Sequence, residues 1–311
     1  MHPTAPRRAL AGLAALTLAA TGVLASVSGA SAAPRGPGAA DCAGRSIPAS
    51  KISIQLFSYA SWSRAVGTEQ VLAELEEIGY RNVEPFGGSY EGRDAETWRA
   101  LLKEYGLKQP SSHGSVATAT FGTTLDFAKT VGQKYVGSGG FPAPSIARDG
   151  SSSYADVIAT AEAMDALGEQ SVKNGTGKLF GHNHQWEFTT LVTNPETGET
   201  TTAWEVLVQN TDPRWVTFQL DVFWAADAGA DVVALLEEYG GRIELLHIKD
   251  GDLAGDARGI PSDVGEGELD WDAILGAAQG HVKYYVVERD GAPADAEFAR
   301  DSFEFLTCTS F

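Results

Sequence analysis

Apolar and polar residues alternate along this chain in two rhythms. In "KISIQLF", residues 51 to 57, isoleucine alternates with serine and glutamine, the two-residue period of a strand. In "TEQVLAELEEIGY", Val71, Leu72, Leu75 and Ile78 recur at the three- and four-residue spacing that lines one side of a helix. The two rhythms then repeat. Strand-like "RNVEPF" precedes helix-like "AETWRALLKEYG", "LKQPSSH" precedes "TTLDFAKTVG", and "KYVGSGG" precedes a long helical stretch from Tyr154 to Lys173. "KLFGHNH" precedes "AWEVLVQN", and "WVTFQLDVF" precedes "DVVALLEEYG". "RIELLHIKD" precedes "LDWDAILGAA", and "VKYYVVERD" precedes "ADAEFARDSFEFL".

Strands alternating with helices predict a parallel sheet. Eight such units over residues 51–311 predict an α/β fold, a single closed (β/α)8 TIM barrel. No glycine-rich dinucleotide fingerprint follows the first strand, which argues against an open doubly wound sheet. The stretch "TTLVTNPETGETTTA" reads as a short hairpin insert after the fifth strand, with Pro195 and Gly198 at its turn. It falls on the face where barrels do chemistry and is placed to act as a lid.

The first 33 residues follow neither rhythm. Arg7 and Arg8 precede an Ala/Leu-rich run that ends in the small residues Ala30, Ser31 and Ala32. That is the pattern of an export signal peptide cleaved near Ala32 or Ala33, and the arginine pair fits the twin-arginine route. A Gly/Pro/Ala linker over 34–50 follows, so the expected product is secreted or extracytoplasmic. No other apolar run is long enough to span a bilayer, and no stable membrane association is expected after processing. Two cysteines remain, Cys42 and Cys308. An even pair in an oxidising compartment predicts a disulfide. A closed barrel brings the two chain ends together as that bond requires.

Charge narrows the partners. The chain has 23 basic and 41 acidic side chains, a formal net charge of −18, and loss of Arg7 and Arg8 makes it −20. Such an excess repels phosphate backbones and anionic lipid. A small sugar or sugar derivative is the better expectation, with no nucleic acid partner.

Barrel enzymes carry their chemistry at the C-terminal ends of the strands. Here the second strand ends in Glu84, the third in His113, and the fifth in His182 and His184. The sixth carries Asp221, the seventh His247, Lys249 and Asp250, and the eighth Glu288, Arg289 and Asp290. Four of the five histidines beyond the leader lie at these ends; only His281 does not. Imidazole and carboxylate groups from separate strands predict one divalent metal ion, Mn, Mg, Co or Zn.

The motifs "NVEPF", "PSSHGS", "GHNHQWEF", "QLDVFW", "LLHIKD" and "VVERD", in that order, resemble the sugar phosphate isomerase/epimerase superfamily of xylose isomerase-like barrels. That superfamily also has an AP endonuclease branch. The resemblance runs from about Ile52 to Leu306. It implies a metal held by an acid on the fifth strand, Asp221 on the sixth, His247 on the seventh and Glu288 on the eighth. The fifth-strand acid is replaced by His182, which leaves His182 as the expected fourth ligand and Glu187 as the alternative. The endonuclease branch places a histidine where this chain has Trp224, and only His113 survives from its extra set. Together with the charge, this argues against DNA cleavage.

The implied activity is isomerisation or epimerisation next to a carbonyl through a metal-bound enediolate. Glu288 is the first choice of base, with Glu187 and His184 as alternatives, and Lys249 would stabilise negative charge on oxygen. Glu84, His113 and Arg289 are expected at the substrate. Trp186 and Trp224, with Phe57 and Phe86 near the rim, are expected to stack on a sugar ring. The missing acid keeps a lyase acting on a keto-sugar, glycoside or cyclitol open beside the isomerase. A non-catalytic sugar-binding barrel is the third reading.

Overall fold

The computed structural model describes residues 47–254 and 258–308. The expected signal peptide, nearly all of the linker and Cys42 lie outside these residues. Cys308 lies inside them, and they include no free cysteine. Among them no helix is long and apolar enough to cross a membrane.

In chain order the strands are β1 (Ile52–Gln55), β2 (Asn82–Glu84), β3 (Tyr135–Gly137), β4 (Lys178–His182), β5 (Leu191–Thr193), β6 (Thr200–Thr202), β7 (Val216–Asp221), β8 (Ile243–Ile248), β9 (Asp250–Asp252), β10 (Ile260–Ser262) and β11 (Tyr284–Val287). Seven form one curled parallel sheet in the order β2–β1–β11–β8–β7–β4–β3. β5 pairs antiparallel with β6, and β9 with β10.

The third strand-like segment, "LKQPSSH", is not a regular strand. It joins the two edges of the sheet through single bridges, Lys108 to Asn82 and His113 to both Phe86 and Gly137. Pro110 explains the irregularity. It has no N–H to donate to a ladder, while its carbonyl accepts from Lys134 N and Tyr135 N at 2.8 and 3.0 Å. These bridges make the segment the eighth stave of the barrel.

The helices are α1 (Ala60–Val66), α2 (Thr68–Ile78), α3 (Ala95–Glu104), α4 (Phe121–Val131), α5 (Tyr154–Asn174), α6 (Trp186–Thr189), α7 (Ala203–Gln209), α8 (Val222–Asp227), α9 (Val232–Tyr239), α10 (Trp271–Ala278) and α11 (Glu297–Cys308). The short α1, α6 and α8 fall outside the eight-unit pattern. Side-chain oxygens set several starts. Asp94 accepts from Thr97 N at α3, Ser153 and Asp156 form a capping box at α5, and Thr202 and Glu205 form another at α7. Gly132 and Gly175 end α4 and α5 in the left-handed conformation, which glycine adopts without strain.

The strand alternation sorts side chains between two cores. Ile52, Ile54, Val83, Val136, Leu179, Phe218, Leu220, Leu246 and Val287 join the main apolar cluster shared with the helices. The opposite faces point into the barrel. Tyr135, Phe180 and Leu245 fill it with a small apolar plug, and Tyr284 packs against them. Two residues further along the strands the inward positions turn polar: Gln55, Glu84, His182, Gln219, Asp221 and His247 are all buried. The fold therefore builds a dry floor with a layer of ionisable groups above it. At the other side of the barrel the two ends of the described part of the chain meet, with Ile47 N donating to Leu306 O at 3.0 Å.

Candidate functional site

Glu84, at the end of β2, is fully buried and saturated with donors. Its Oε1 accepts from Gln55 Nε2 at 2.8 Å and lies 2.9 Å from His247 Nε2 and 3.2 Å from His113 Nε2. Its Oε2 accepts from Gln219 Nε2 at 2.8 Å and from the Ser111 hydroxyl. Burial alone would raise its pKa, but the His113 and His247 rings and the hydrogen bonds outweigh that and keep it lowered.

An ionised Glu84 dictates the state of its neighbours. A carboxylate cannot donate, so the Gln219 amide must turn its NH2 to Glu84 and its oxygen to the histidines. That oxygen is 2.8 Å from His113 Nε2 and 3.0 Å from His182 Nδ1. Both rings must therefore donate there, which leaves the lone pair of His182 on Nε2. Burial, followed by the like charge of His247, pushes the His182 pKa well below its ordinary value, so the ring is neutral. His247 gives its Nε2 proton to Glu84 and turns Nδ1 toward Glu288 Oε2 at 3.2 Å and Asp221 Oδ2 at 3.8 Å. A metal-ligating histidine commonly gives its other N–H to a carboxylate in this way.

Asp221 ends β7 and also caps α8. Its Oδ1 accepts from Trp224 N at 3.0 Å, and Asn183 pins its backbone on both sides, at 2.9 and 3.1 Å. Asp221 Oδ2 is buried without a hydrogen bond among the described residues. Lys249 Nζ approaches that oxygen to 3.4 Å, and also lies 2.8 Å from Glu288 Oε2 and 3.1 Å from Asp290 Oδ2. Burial would raise the Glu288 pKa, but the Lys249 ammonium and His247 hold it well below the carboxylate range. Burial likewise opposes the charge on Lys249, and Asp221, Glu288 and Asp290 restore it.

Asp221, His247 and Glu288 thus bring one ligand atom each within 4.8 Å of one another. His182 groups instead with His113 and His247, also within 4.8 Å. The donor set fits a divalent ion: a buried carboxylate oxygen lacks a hydrogen-bond partner, and a neighbouring imidazole has its second N–H anchored.

The remaining expected residues go to several places. His113, His182, His184, Lys249, Glu288 and Asp290 line a cavity of about 250 Å³ with Phe57, Phe86 and Gly139. His184 stacks on Trp186 with ring centres 4.2 Å apart, Arg148 lies 4.6 Å from the Trp186 ring, and His184 Nδ1 has no hydrogen-bond partner among the described residues. Burial lowers the His184 pKa to about 4. Glu187 is buried and does not line the cavity. Its carboxylate accepts from His184 N at 2.7 Å, and burial raises its pKa to about 7. Trp224 is buried under Lys249, 4.9 Å from its ring, and Arg258, 5.1 Å away. Arg289 turns to Asp263 and does not line the cavity.

Sequence reasoning missed Gln55, Ser111, Asn183 and Gln219. Gln55 and Gln219 were signalled by alternation, each lying on the inward face near the end of its strand. Asp250 was read as another strand-end acid. It instead accepts from Gly251 N, Gly265 N, Gly267 N and Trp271 Nε1 at 2.6–3.1 Å and so organises the loops around the β9–β10 hairpin.

A family model described as xylose isomerase-like TIM barrel matches residues 72–307. A sugar phosphate isomerase/epimerase from Parabacteroides distasonis ATCC 8503 is 24% identical, with a TM-score of 0.67 over 87% of this chain and 98% of its own. The IOLI protein, whose structure holds a zinc atom, is 15% identical, with a TM-score of 0.60 over 84% of this chain and 99% of its own. The probable 3-DHS dehydratase AsbF of Bacillus anthracis is 12% identical, with a TM-score of 0.58 over 83% of this chain and 98% of its own. Likeness at these identities speaks to the fold alone. No curated protein sequence matches the chain.

Proposed function

Because the chain belongs to the xylose isomerase-like TIM barrel family, we propose that it is a metal-dependent sugar isomerase or epimerase working next to a carbonyl. The observation that carries this reading is Asp221 Oδ2, buried and without a hydrogen bond beside His247 Nδ1 and Glu288 Oε2. Asp221, His247 and Glu288 would hold the ion, with Nε2 of His182 or the Glu187 carboxylate as fourth donor. What a divalent ion supplies when bound there is polarisation of a carbonyl and its adjacent hydroxyl, which makes the neighbouring C–H acidic.

The chain's own groups then move the proton. Glu288 lines the cavity and is the base. With Lys249 at 2.8 Å it is a weak one. A substrate oxygen that draws the ammonium away would remove one of the positive charges that hold the Glu288 pKa down and so strengthen it. The same movement would put a fixed positive charge where negative charge develops on the sugar. His184 is a neutral imidazole on the cavity wall, and its Nδ1, without a partner among the described residues, is able to carry a proton. The aromatic floor and the small cavity limit water at the reacting carbon.

A second reading, a lyase, is favoured by one observation: Glu288 is the only glutamate lining the cavity among the described residues. Elimination needs a single base on carbon, and a histidine can protonate the leaving group. We further propose that the reaction takes place outside the cytoplasm after loss of residues 1–33, on a sugar, keto-sugar, glycoside or cyclitol. In that setting Cys42 would pair with Cys308, a reading that the Ile47–Leu306 contact supports.

The test is incubation of the metal-loaded protein with a panel of such sugars in D2O. Deuterium at one carbon with unchanged connectivity is expected. A product lighter by water or by an alcohol selects the lyase. No exchange and no product with any of them defeats both. Metal analysis of Asp221→Ala, expected to lose the ion, tests the centre itself.

A further inference from the structure

We infer that the substrate is larger than a monosaccharide: a glycoside or similar conjugate whose remote part is flat, apolar and anionic, seated in a second chamber beside the reactive one. This rests on the sugar-site reading above and deepens it. The reactive cavity, at about 250 Å³, is smaller than the roughly 300–1,000 Å³ of most ligand pockets. Against it lies another of about 390 Å³. Phe57 and Phe86 line both. Their rings meet edge to face, 5.4 Å apart at 85°, and Phe57 remains 50% exposed. A large apolar ring half in water where two cavities meet offers a face that a flat apolar group can cover.

The backbone is shaped for it. Gly88 has no side chain, and a Cβ there would come within 2.5 Å of the Phe86 ring. Phe86 can lie flat against the chain only because position 88 is glycine. The far wall of the chamber comes from α1, which the eight-unit barrel pattern does not require. That helix supplies Ala60, Ser63 and Arg64.

Charge selects the ligand further. The acid of the chamber, Glu91, is engaged: its Oε1 accepts from Thr68 Oγ1 at 2.8 Å and its Oε2 from Arg93 at 2.6 Å. The Arg64 guanidinium makes no hydrogen bond or ion pair among the described residues. One unpaired guanidinium on the wall of an aromatic chamber favours a carboxylate or similar anion on the ring. Because Phe57 and Phe86 line both cavities, the occupant is the far end of the same molecule rather than a separate ligand.

The experiment titrates the metal-loaded protein with D-glucose, then with its methyl, phenyl and 4-carboxyphenyl β-glycosides, and separately with benzoate. Affinity is expected to rise about tenfold from methyl to phenyl, as burial of an aromatic ring provides, and severalfold again with the carboxylate. Arg64→Ala should remove the second step. Ser63→Trp, which fills the chamber, should remove both and leave glucose binding unchanged. Matching melting curves keep misfolding out of the comparison. Equal affinity across the series with glucose bound overturns this inference and leaves the sugar site standing. Aryl glycosides binding Ser63→Trp at full strength also overturn it. Benzoate bound through Arg64 without any sugar binding keeps the chamber and removes the sugar-site reading. No binding by any of the five probes overturns both.

Discussion

Gln219 carries no charge, yet it settles which nitrogen of two histidines bears the proton. Its amide is held by Glu84, so its oxygen demands an N–H from His113 and from His182. Gln219→Met removes that demand and leaves both rings free to rotate or change tautomer. Metal affinity measured by competition with a chelator is expected to fall about ten- to hundredfold, the usual cost of losing a partner that orients ligands. An unchanged affinity would separate His182 from the metal. Glu187 makes a different prediction. Burial holds its pKa near 7, above the ordinary 4.5. The folded state therefore keeps a proton that the unfolded state has lost, and stability falls as pH rises from about 4.5 to 7. The penalty approaches roughly 3 kcal/mol above pH 7. Glu187→Gln should melt close to wild type at pH 4 and above it at pH 8; identical pH profiles would show that Glu187 is ionised at no cost. The alternation of the strands could have disclosed Gln219, two positions before Asp221 on the same face. Nothing in the sequence told that Glu187 would fold back onto the His184 amide, because that contact depends on the turn between them.

Among the elements, the β9–β10 hairpin and the loops around it depend on one side chain. Asp250 gathers three backbone N–H groups and the Trp271 indole, and it follows Lys249 directly. Asp250→Ala would strand donors in a buried place, at about 1–3 kcal/mol each where water does not reach them. Denaturant titration should show a loss of several kcal/mol. Hydrogen exchange at Gly265 and Gly267 should quicken more than exchange in β1 or β7. Uniform change across the chain would mean that Asp250 stabilises the barrel rather than its loop. The eight-unit beat was legible because the outward strand positions and the inward helix positions bury the same apolar core. The loops were less so. The strands β9 and β10 read "DGD" and "IPS" and have no apolar alternation to betray them. The segment 108–113 was visible as a stave but not as a bridged one, because Pro110 breaks its ladder while its neighbours still hold its place. α8 arises from Asp221 acting as a cap, a role that a strand-end aspartate does not announce.

For the molecule as a whole, closure of the ring matters most. Asp221, His247 and Glu288 come from β7, β8 and the residue after β11, which are sheet neighbours although 67 positions separate the first from the last. Their convergence follows from strand order, so the meeting of these three side chains was readable once the barrel was. The proposed Cys42–Cys308 bond belongs to the same scale. Peptide mapping of the exported protein without reductant should yield the two cysteines in one linked fragment. Reduction should destabilise the protein by about 2–5 kcal/mol, within the usual range for a native crosslink; free thiols at both positions would refute the bond. Ile47 and Leu306 touch at the end of the barrel away from the reactive mouth. A short linker could therefore splice these two points and allow the chain to be reopened elsewhere as a circular permutant. Likewise, a bead or electrode grafted at the exposed Pro48 or Ser50 beside this contact would hold the molecule with the mouth of its cavity turned outward to the solution.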